Sequence, residues 1–421
     1  MPVGIDFGTT NSAIAVASPA GATLAAFSDG ERESATFRSI LYFDPRERAL
    51  GGRAEAVAGP RAVRRYLEAE QKGRLVQSVK SFLASRSFTE TQIFTHSYTI
   101  QELIAIVLKR LLAEAGRPAP DGPVVLGRPV RFAGAEAEDD DAFAETRLRE
   151  AAAAAGLADV VFEFEPVAAA LEYDRRLDHD ELVLIGDFGG GTSDFTLVRL
   201  GPGRRGPARD SILGNAGVGI AGDTFDSRVV RNLMAPRFGR DLAYRSLDTK
   251  LEMPAWIYRN LERWHYVSFL KSKRTVDMLR GLRPQVDEPE RIEALLHLIE
   301  QDLGFAMYRS VDLAKCRLSA EEETVLEFVD PPVDVVERLE RGDFEDWVHE
   351  DVRAMAACVD GLLGGCGAAP GDVDSVFLTG GSSLVPIVRR YFERRFGAGR
   401  LRGGGELTTV AKGLALRALE L

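Results

Sequence analysis

The chain has 421 residues, long enough for more than one hydrophobic core, since single cores stop growing near ~250–300 residues. Its 45% hydrophobic and 28% charged content is that of a soluble globular protein, and a net charge of −11 argues against general nucleic-acid binding. No apolar run approaches the ~18–20 residues a membrane span requires, so neither nucleic acid nor membrane is an expected partner.

Met1-Pro2 leads straight into an apolar run, Val3 to Ile5, which leaves no room for a secretory leader and points to a cytoplasmic location. That run stops at Asp6, turns through Gly8-Thr9-Thr10-Asn11 and returns as a second apolar run, Ala13 to Ala17. A hairpin of this kind offers backbone N–H groups, two hydroxyls and one carboxylate at a single point, the chemistry that holds a polyphosphate and its magnesium. A plain β-turn is the alternative, because tight hairpins also use Gly and Thr. Ser39 to Phe43 reads as a strand closed by Asp44-Pro45, residues 53–70 and 101–115 have helical spacing, and Val124 opens a short strand. The acidic run Glu138 to Asp141 reads as a helix start or solvated insertion, followed by an Ala-rich helix ending at Gly156 and a strand from Val160 to Phe164.

Beyond a charged loop at Leu177 to Glu181, the pattern recurs. An apolar strand ends at Asp187, turns through Gly189-Gly190-Gly191-Thr192 and returns through Asp194. Consecutive glycines let the main chain come within hydrogen-bonding distance of a ligand, where any Cβ would intrude. Two such hairpins about 180 residues apart, one from each half, would clamp a nucleotide between lobes if they face each other. Two GxGxxG spacings are rejected as dinucleotide sites: Gly201 to Gly206 is a Pro/Arg turn, and Gly217 to Gly222 lacks a βαβ unit around it. No GxxxxGK[ST] occurs, which excludes a P-loop. Residues 223–318 read as mainly helical, then come a strand from Thr324 to Phe328, a helix near 343–363 and a strand from Ser375 to Leu378. Cys316, Cys358 and Cys366 share no CxxC spacing, so they read as free thiols rather than a disulfide framework or zinc site. The aromatics Trp256, Tyr258, Trp264, Tyr266 and Phe269 read as subdomain core, with a partner surface as the alternative.

These residues resemble a known family. Residues 4–12, 187–194 and 378–386 are similar to the phosphate and adenosine motifs of the actin-like ATPase superfamily, and most of all to the nucleotide-binding domain of DnaK-type (70-kDa heat-shock) chaperones. Glu165-Pro166-Val167-Ala168-Ala169-Ala170 resembles that family's Glu-Pro-Thr-Ala-Ala-Ala segment, and Ala221-Gly222-Asp223-Thr224-Phe225-Asp226 its Gly-Gly-Glu-Asp-Phe-Asp. Val79-Lys80-Ser81-Phe82 falls where the family carries its catalytic lysine, and Asp312 to Ser319 resembles its adenosine-contacting helix. The resemblance covers nearly the whole chain, with 130–145 and 240–305 matching poorly.

It implies a duplicated α/β, actin-like (ribonuclease H-like) ATPase fold: lobe I over 1–180 with an inserted subdomain at about 30–115, and lobe II over 181–421 with a helical insertion at about 223–318. ATP or ADP with Mg²⁺ would be the ligand. Lys80, Glu165 and Asp187 would surround the attacking water, and Asp6 and Asp194 would hold Mg²⁺ through its waters. Gly8, Thr9, Thr10, Asn11, Gly189, Gly190, Gly191 and Thr192 would cradle the phosphates. Gly222, Asp223, Asp312, Lys315, Ser319, Gly380, Gly381, Ser382 and Leu384 would meet the nucleoside side. The sequence departs from the family at Leu384 and at Cys316 beside Lys315, which stand where many members carry cations, and at Asp312, where Glu is usual. Residues 407–421 resemble the last helix of the ATPase domain, and no β-rich peptide-binding domain is recognised, as in truncated YegD-like bacterial members. The expected function is an ATP-binding, weakly ATP-hydrolysing chaperone-like protein acting on an unknown client or co-chaperone. A filament-forming or regulatory actin-like protein, or a small-molecule kinase of the same superfamily, are the alternatives.

Overall fold

The computed structural model describes residues 1–28, 33–48, 54–69, 73–116, 122–135, 137–174, 177–203, 211–246, 249–402 and 409–421. The apolar runs pair into two sheets of matching plan. In the first, Val3–Asp6 pairs antiparallel with Asn11–Ser18, which pairs antiparallel with Gly21–Leu24. On the other side Val3–Asp6 is parallel to Val124–Arg128, which is parallel to Val160–Phe164. In the second sheet Glu181–Phe188 takes the place of the first strand. It is antiparallel to Ser193–Leu200, then Ile212–Val218 follows, while Ser375–Thr379 and Leu401–Arg402 add in parallel on the far side. A hairpin with one antiparallel neighbour and two parallel ones therefore occurs twice, as the repeated Asp-Gly-Thr pattern implies. Parallel strands are covered on both faces and so need continuous apolar sequence; Val124, Val125 and Leu126 are all buried.

Two compact units result. One comprises Met1–Gly219, Met355–Leu384 and Arg389–Leu421 and contains both sheets; the other comprises Ile220–Ala354 and Val385–Val388. In the first unit the C-terminal helix Thr409–Leu419 lies on the first sheet and against the helix Glu165–Asp174. The approach is so close that a Cβ at Gly4 would overlap the backbone of Ala415, and one at Gly413 the carbonyl of Ala168. Leu414, fully buried at this contact, contributes about 1.5–3 kcal/mol of transfer free energy.

Several elements differ from the sequence reading. Residues 54–58 form a strand rather than the start of a helix; the chain turns at Gly59, with φ of 70°, and the helix Pro60–Glu68 begins on its proline. The strand Ile40–Arg48 runs past Pro45, because its pairing with Ala54–Ala58 is irregular between Phe43 and Arg48 and asks no N–H of the proline. The acidic run, by contrast, takes the first of its two expected forms: it is the first turn of a helix, Glu138–Ala154, where carboxylates oppose the positive end of the dipole. The second unit is mainly helical but carries a hairpin, Ala243–Ser246 with Thr249–Glu252. The strand expected at 324–328 extends to Glu323–Asp330 and has a partner, Val333–Glu340, along which buried and exposed positions alternate. Of the aromatics between 256 and 269, Tyr258 is core, whereas Trp256 and Phe269 are 38% and 64% exposed.

Candidate functional site

Everything expected around the phosphates falls in the first unit. Asp6 is the last residue of its strand, and the turn that follows has no room for a side chain at Gly8, where a Cβ would overlap the Asn11 carbonyl oxygen. Asn11 opens the return strand and pairs with Arg38, while the Thr10 carbonyl accepts from the Ser39 amide at 2.9 Å. Among the described residues the Thr10 hydroxyl oxygen is buried without a hydrogen-bond partner. In the second hairpin Asp187 stands opposite Asp194, and the turn closes with Gly189 N–H donating to the Thr192 carbonyl at 2.9 Å. Gly190 and Gly191 complete that turn, and the Thr192 hydroxyl donates to Asp194 Oδ2 at 3.0 Å.

Lys80 reaches this place from a separate element. Its 3₁₀ turn, Val79–Phe82, follows Ser78, whose φ of 55° lies in the left-handed region. The Lys80 ammonium is buried and donates to Glu165 Oε1 at 2.7 Å. Glu165 itself is buried at the N-terminus of the helix Glu165–Asp174, directly after the parallel strand Val160–Phe164. Pro166 is tolerated in that first turn because its missing N–H would have no intrahelical partner.

The electrostatics join these groups into one cluster. Burial raises Asp6 well above the usual carboxylate range, helped by Glu165 and Asp187 and opposed by Lys80. Burial likewise raises Asp187, with Glu165 adding to it and the Thr379 hydroxyl, donating at 2.9 Å, working against it. Asp194 is pushed up to about 7 by burial and then by Asp187. For Lys80 burial alone would lower the pKa, but Glu165, Asp6 and Asp187 outweigh it and hold the amine above its ordinary value. Four carboxylates thus face one ammonium. Carboxylates so placed would favour divalent positive charge beside an anionic polyphosphate, and the hydroxyl of Thr10 is an unused donor in the turn. The residues fit a magnesium–polyphosphate ligand. Among the described residues no three His, Cys, Asp or Glu side chains converge as direct metal ligands.

The strand Ser375–Thr379 leads into another glycine turn of this unit. Gly380, with φ of +83°, crosses so close to Phe188 that a Cβ would overlap its carbonyl. Gly381–Leu384 is a 3₁₀ turn with Ser382 and Ser383 buried and Leu384 42% exposed.

The remaining expected residues lie in the second unit. Gly222 begins the helix Gly222–Val229, and Asp223 accepts from the Trp264 indole at 3.2 Å. Asp312 and Lys315 are on the helix Gly304–Leu318, which Ser319 caps. Lys315 is nearly buried between Asp226 Oδ1 at 2.7 Å and Asp312 Oδ1 at 3.2 Å. Burial works to lower the Lys315 pKa, and the two carboxylates raise it well above the ordinary lysine range. Cys316 is exposed, its sulfur 3.9 Å from Asp312 Oδ1.

Sequence reasoning missed three contributors. Thr379, the last residue of a strand recognised only to Leu378, fixes the Asp187 carboxyl. Gly217 makes room for Asp194, whose Oδ1 would lie 2.5 Å from a Cβ there. Asp226 is the main partner of Lys315, and its place at the end of the Gly222-Asp223-Thr224-Phe225-Asp226 motif was the available signal.

A family model described as "Hsp70 protein" matches residues 2–248 and 305–419. The interruption coincides with the stretch that resembles the chaperones poorly, whereas 130–145 lies within the match. The chain is similar to the chaperone protein DnaK of Thermus thermophilus, with 26% identity over 99% of this chain and 60% of the relative. It is 26% identical to DnaK of Deinococcus proteolyticus over 92% of the chain and 54% of the relative. With DnaK of Thermosipho africanus the identity is 27% over 99% of the chain and 58% of the relative. The chain therefore spans 54–60% of the length of these curated relatives.

Proposed function

Since the chain belongs to the Hsp70 family and has its duplicated actin-like ATPase fold, we propose that it binds Mg-ATP and hydrolyses it slowly, switching a surface for a protein client or co-chaperone in the cytoplasm. The observation that carries this reading is the buried Lys80–Glu165 pair, coupled to Asp6 at the end of one strand and to Asp187 one residue before the end of the matching strand. Phosphoryl transfer to water asks little covalent help of a protein; it needs charge neutralisation and a positioned water. The amides of the Gly8-Thr9-Thr10 and Gly189-Gly190-Gly191-Thr192 turns would hold the phosphates, with the Thr10 hydroxyl as one further donor. Lys80 would place its positive charge on the γ-phosphate side. Asp187, held at one oxygen by Thr379, and Glu165, held by Lys80, would orient the water and accept its proton. Asp6 and Asp194 would hold Mg²⁺ through its hydration shell, which neutralises phosphate charge when bound. Within the first unit, Gly380, Gly381, Ser382 and Leu384 would meet the nucleoside side.

Calorimetric titration of Mg-ATP with parallel phosphate-release assays on wild type and Lys80→Ala tests the reading. The expected outcome is binding by both and a loss of about 10²–10⁴-fold in hydrolysis by the variant. Absence of ATP binding by the wild type would overturn it.

A further inference from the structure

The segment around Lys80 is held by short turn hydrogen bonds, Leu83 N–H to the Lys80 carbonyl and Ser85 N–H to the Phe82 carbonyl, both at 3.1 Å. After the 3₁₀ turn Val79–Phe82 the chain runs without regular structure to the strand Glu90–Ile93. Four of its carbonyls converge on one side chain. Arg147 Nη1 donates to the carbonyls of Phe82, Leu83 and Ser85 at 3.2, 3.0 and 3.1 Å, and Nη2 to that of Phe88 at 3.4 Å. Arg147 lies mid-way along the helix Glu138–Ala154 and is only 3% exposed. The Phe143 ring covers its guanidinium at 5.2 Å, and the Phe82 and Phe88 rings pack 4.6 Å apart beside the same carbonyls.

A buried cation whose hydrogen bonds all go to carbonyls is an expensive choice for a core position, where an apolar side chain would pack as well. The guanidinium does what no apolar group can. Its planar fork of five donors fits several carbonyls at once and cancels the repulsion of their aligned dipoles. The peptide segment so gathered is the one that carries Lys80, entered through Ser78 in a left-handed conformation that persists only where surroundings over-determine it.

We infer that Arg147 is a positioning residue for Lys80: by gathering the carbonyls of Phe82, Leu83, Ser85 and Phe88 it fixes the turn that delivers the Lys80 ammonium to Glu165. Its kinetic part rests on the proposed ATPase reading. Its structural part does not.

The test uses the full chain with Arg147→Met and Arg147→Lys, each also combined with Lys80→Ala. Arg147→Met should lower kcat for phosphate release by about 10²-fold, because a displacement of about 1 Å has that cost, with the calorimetric Kd for Mg-ATP nearly unchanged. On the Lys80→Ala background the same substitution should change the residual rate by less than about twofold, since both act through one group. Arg147→Lys, which keeps the charge but lacks the fork, should fall between. Independently of catalysis, the Lys80 amine should resist acetic anhydride in the wild type. It should label at least about tenfold faster in Arg147→Met, as local opening exposes it. Equal losses with and without Lys80, unchanged Lys80 labelling, or failure of both variants to fold would each overturn the assignment. A wild type that releases no phosphate would sink the ATPase reading alone, and the labelling would still decide the role of Arg147.

Discussion

The two glycine hairpins share a plan yet treat their polar groups in opposite ways. In the second, each acid has an internal donor: Thr379 serves Asp187 and Thr192 serves Asp194. In the first, the buried Thr10 hydroxyl has no partner among the described residues, and Asp6 is raised by burial and by neighbouring carboxylates. The glycines differ too. A side chain at Gly8 would overlap the Asn11 carbonyl, whereas one at Gly189 would meet Thr192 O at a tight 3.3 Å. One hairpin is therefore a completed hydrogen-bond network that orients carboxylates. The other is a sterically fixed turn with donor capacity left over, which a ligand would complete.

The contrast can be broken at its strongest point first. Asp187→Asn keeps the Thr379 contact but removes the proton-accepting carboxylate, so phosphate release should fall by about 10²–10⁴-fold while Mg-ATP binding persists. Retained hydrolysis in a phosphate-release assay would show that the second hairpin does not orient the water. Next come the glycines. Gly8→Ala should weaken Mg-ATP binding by about 10-fold or more, because the turn must move and its hydrogen bonds to ligand are lost at about 1.5–3 kcal/mol each where charge is involved. Gly189→Ala should cost only a few-fold, and equal losses by calorimetry would erase the asymmetry. The smallest effects belong to the hydroxyls. Thr10→Val should raise the stability of the ligand-free protein by about 1 kcal/mol, since it removes a buried unsatisfied group, and should weaken nucleotide binding. Thr192→Val should lower stability by a similar amount, because Asp194 loses its donor. Urea denaturation of both variants checks the opposite signs.

Much of this was written locally. The repeated strand–Asp–Gly–Thr–strand pattern specifies the hairpins, because apolar strands, a carboxylate at the strand end and glycines in the turn each have a short-range cause. The resemblance of Lys80, Glu165 and Asp187 to a known set named them without showing what they touch. Other elements misled for equally local reasons. Ala54, Ala56 and Ala58 favour helix by intrinsic propensity, and only their pairing with Ile40–Arg48 made the segment a strand. The strand Val333–Glu340 alternates buried and exposed positions, but its charged residues hid the pattern.

The sequence by itself determined which turns lack side chains and which acids stand at or beside strand ends, since those depend on residues a few positions apart. The tertiary structure decided everything that joins distant segments: Lys80 against Glu165, Thr379 on Asp187, and Asp226 rather than Asp312 as the nearer partner of Lys315. It also turned Arg147, an unremarkable helix residue in the sequence, into the hub of four carbonyls. A buried charge takes its meaning from the groups that surround it in space, and one-dimensional spacing carries no record of those.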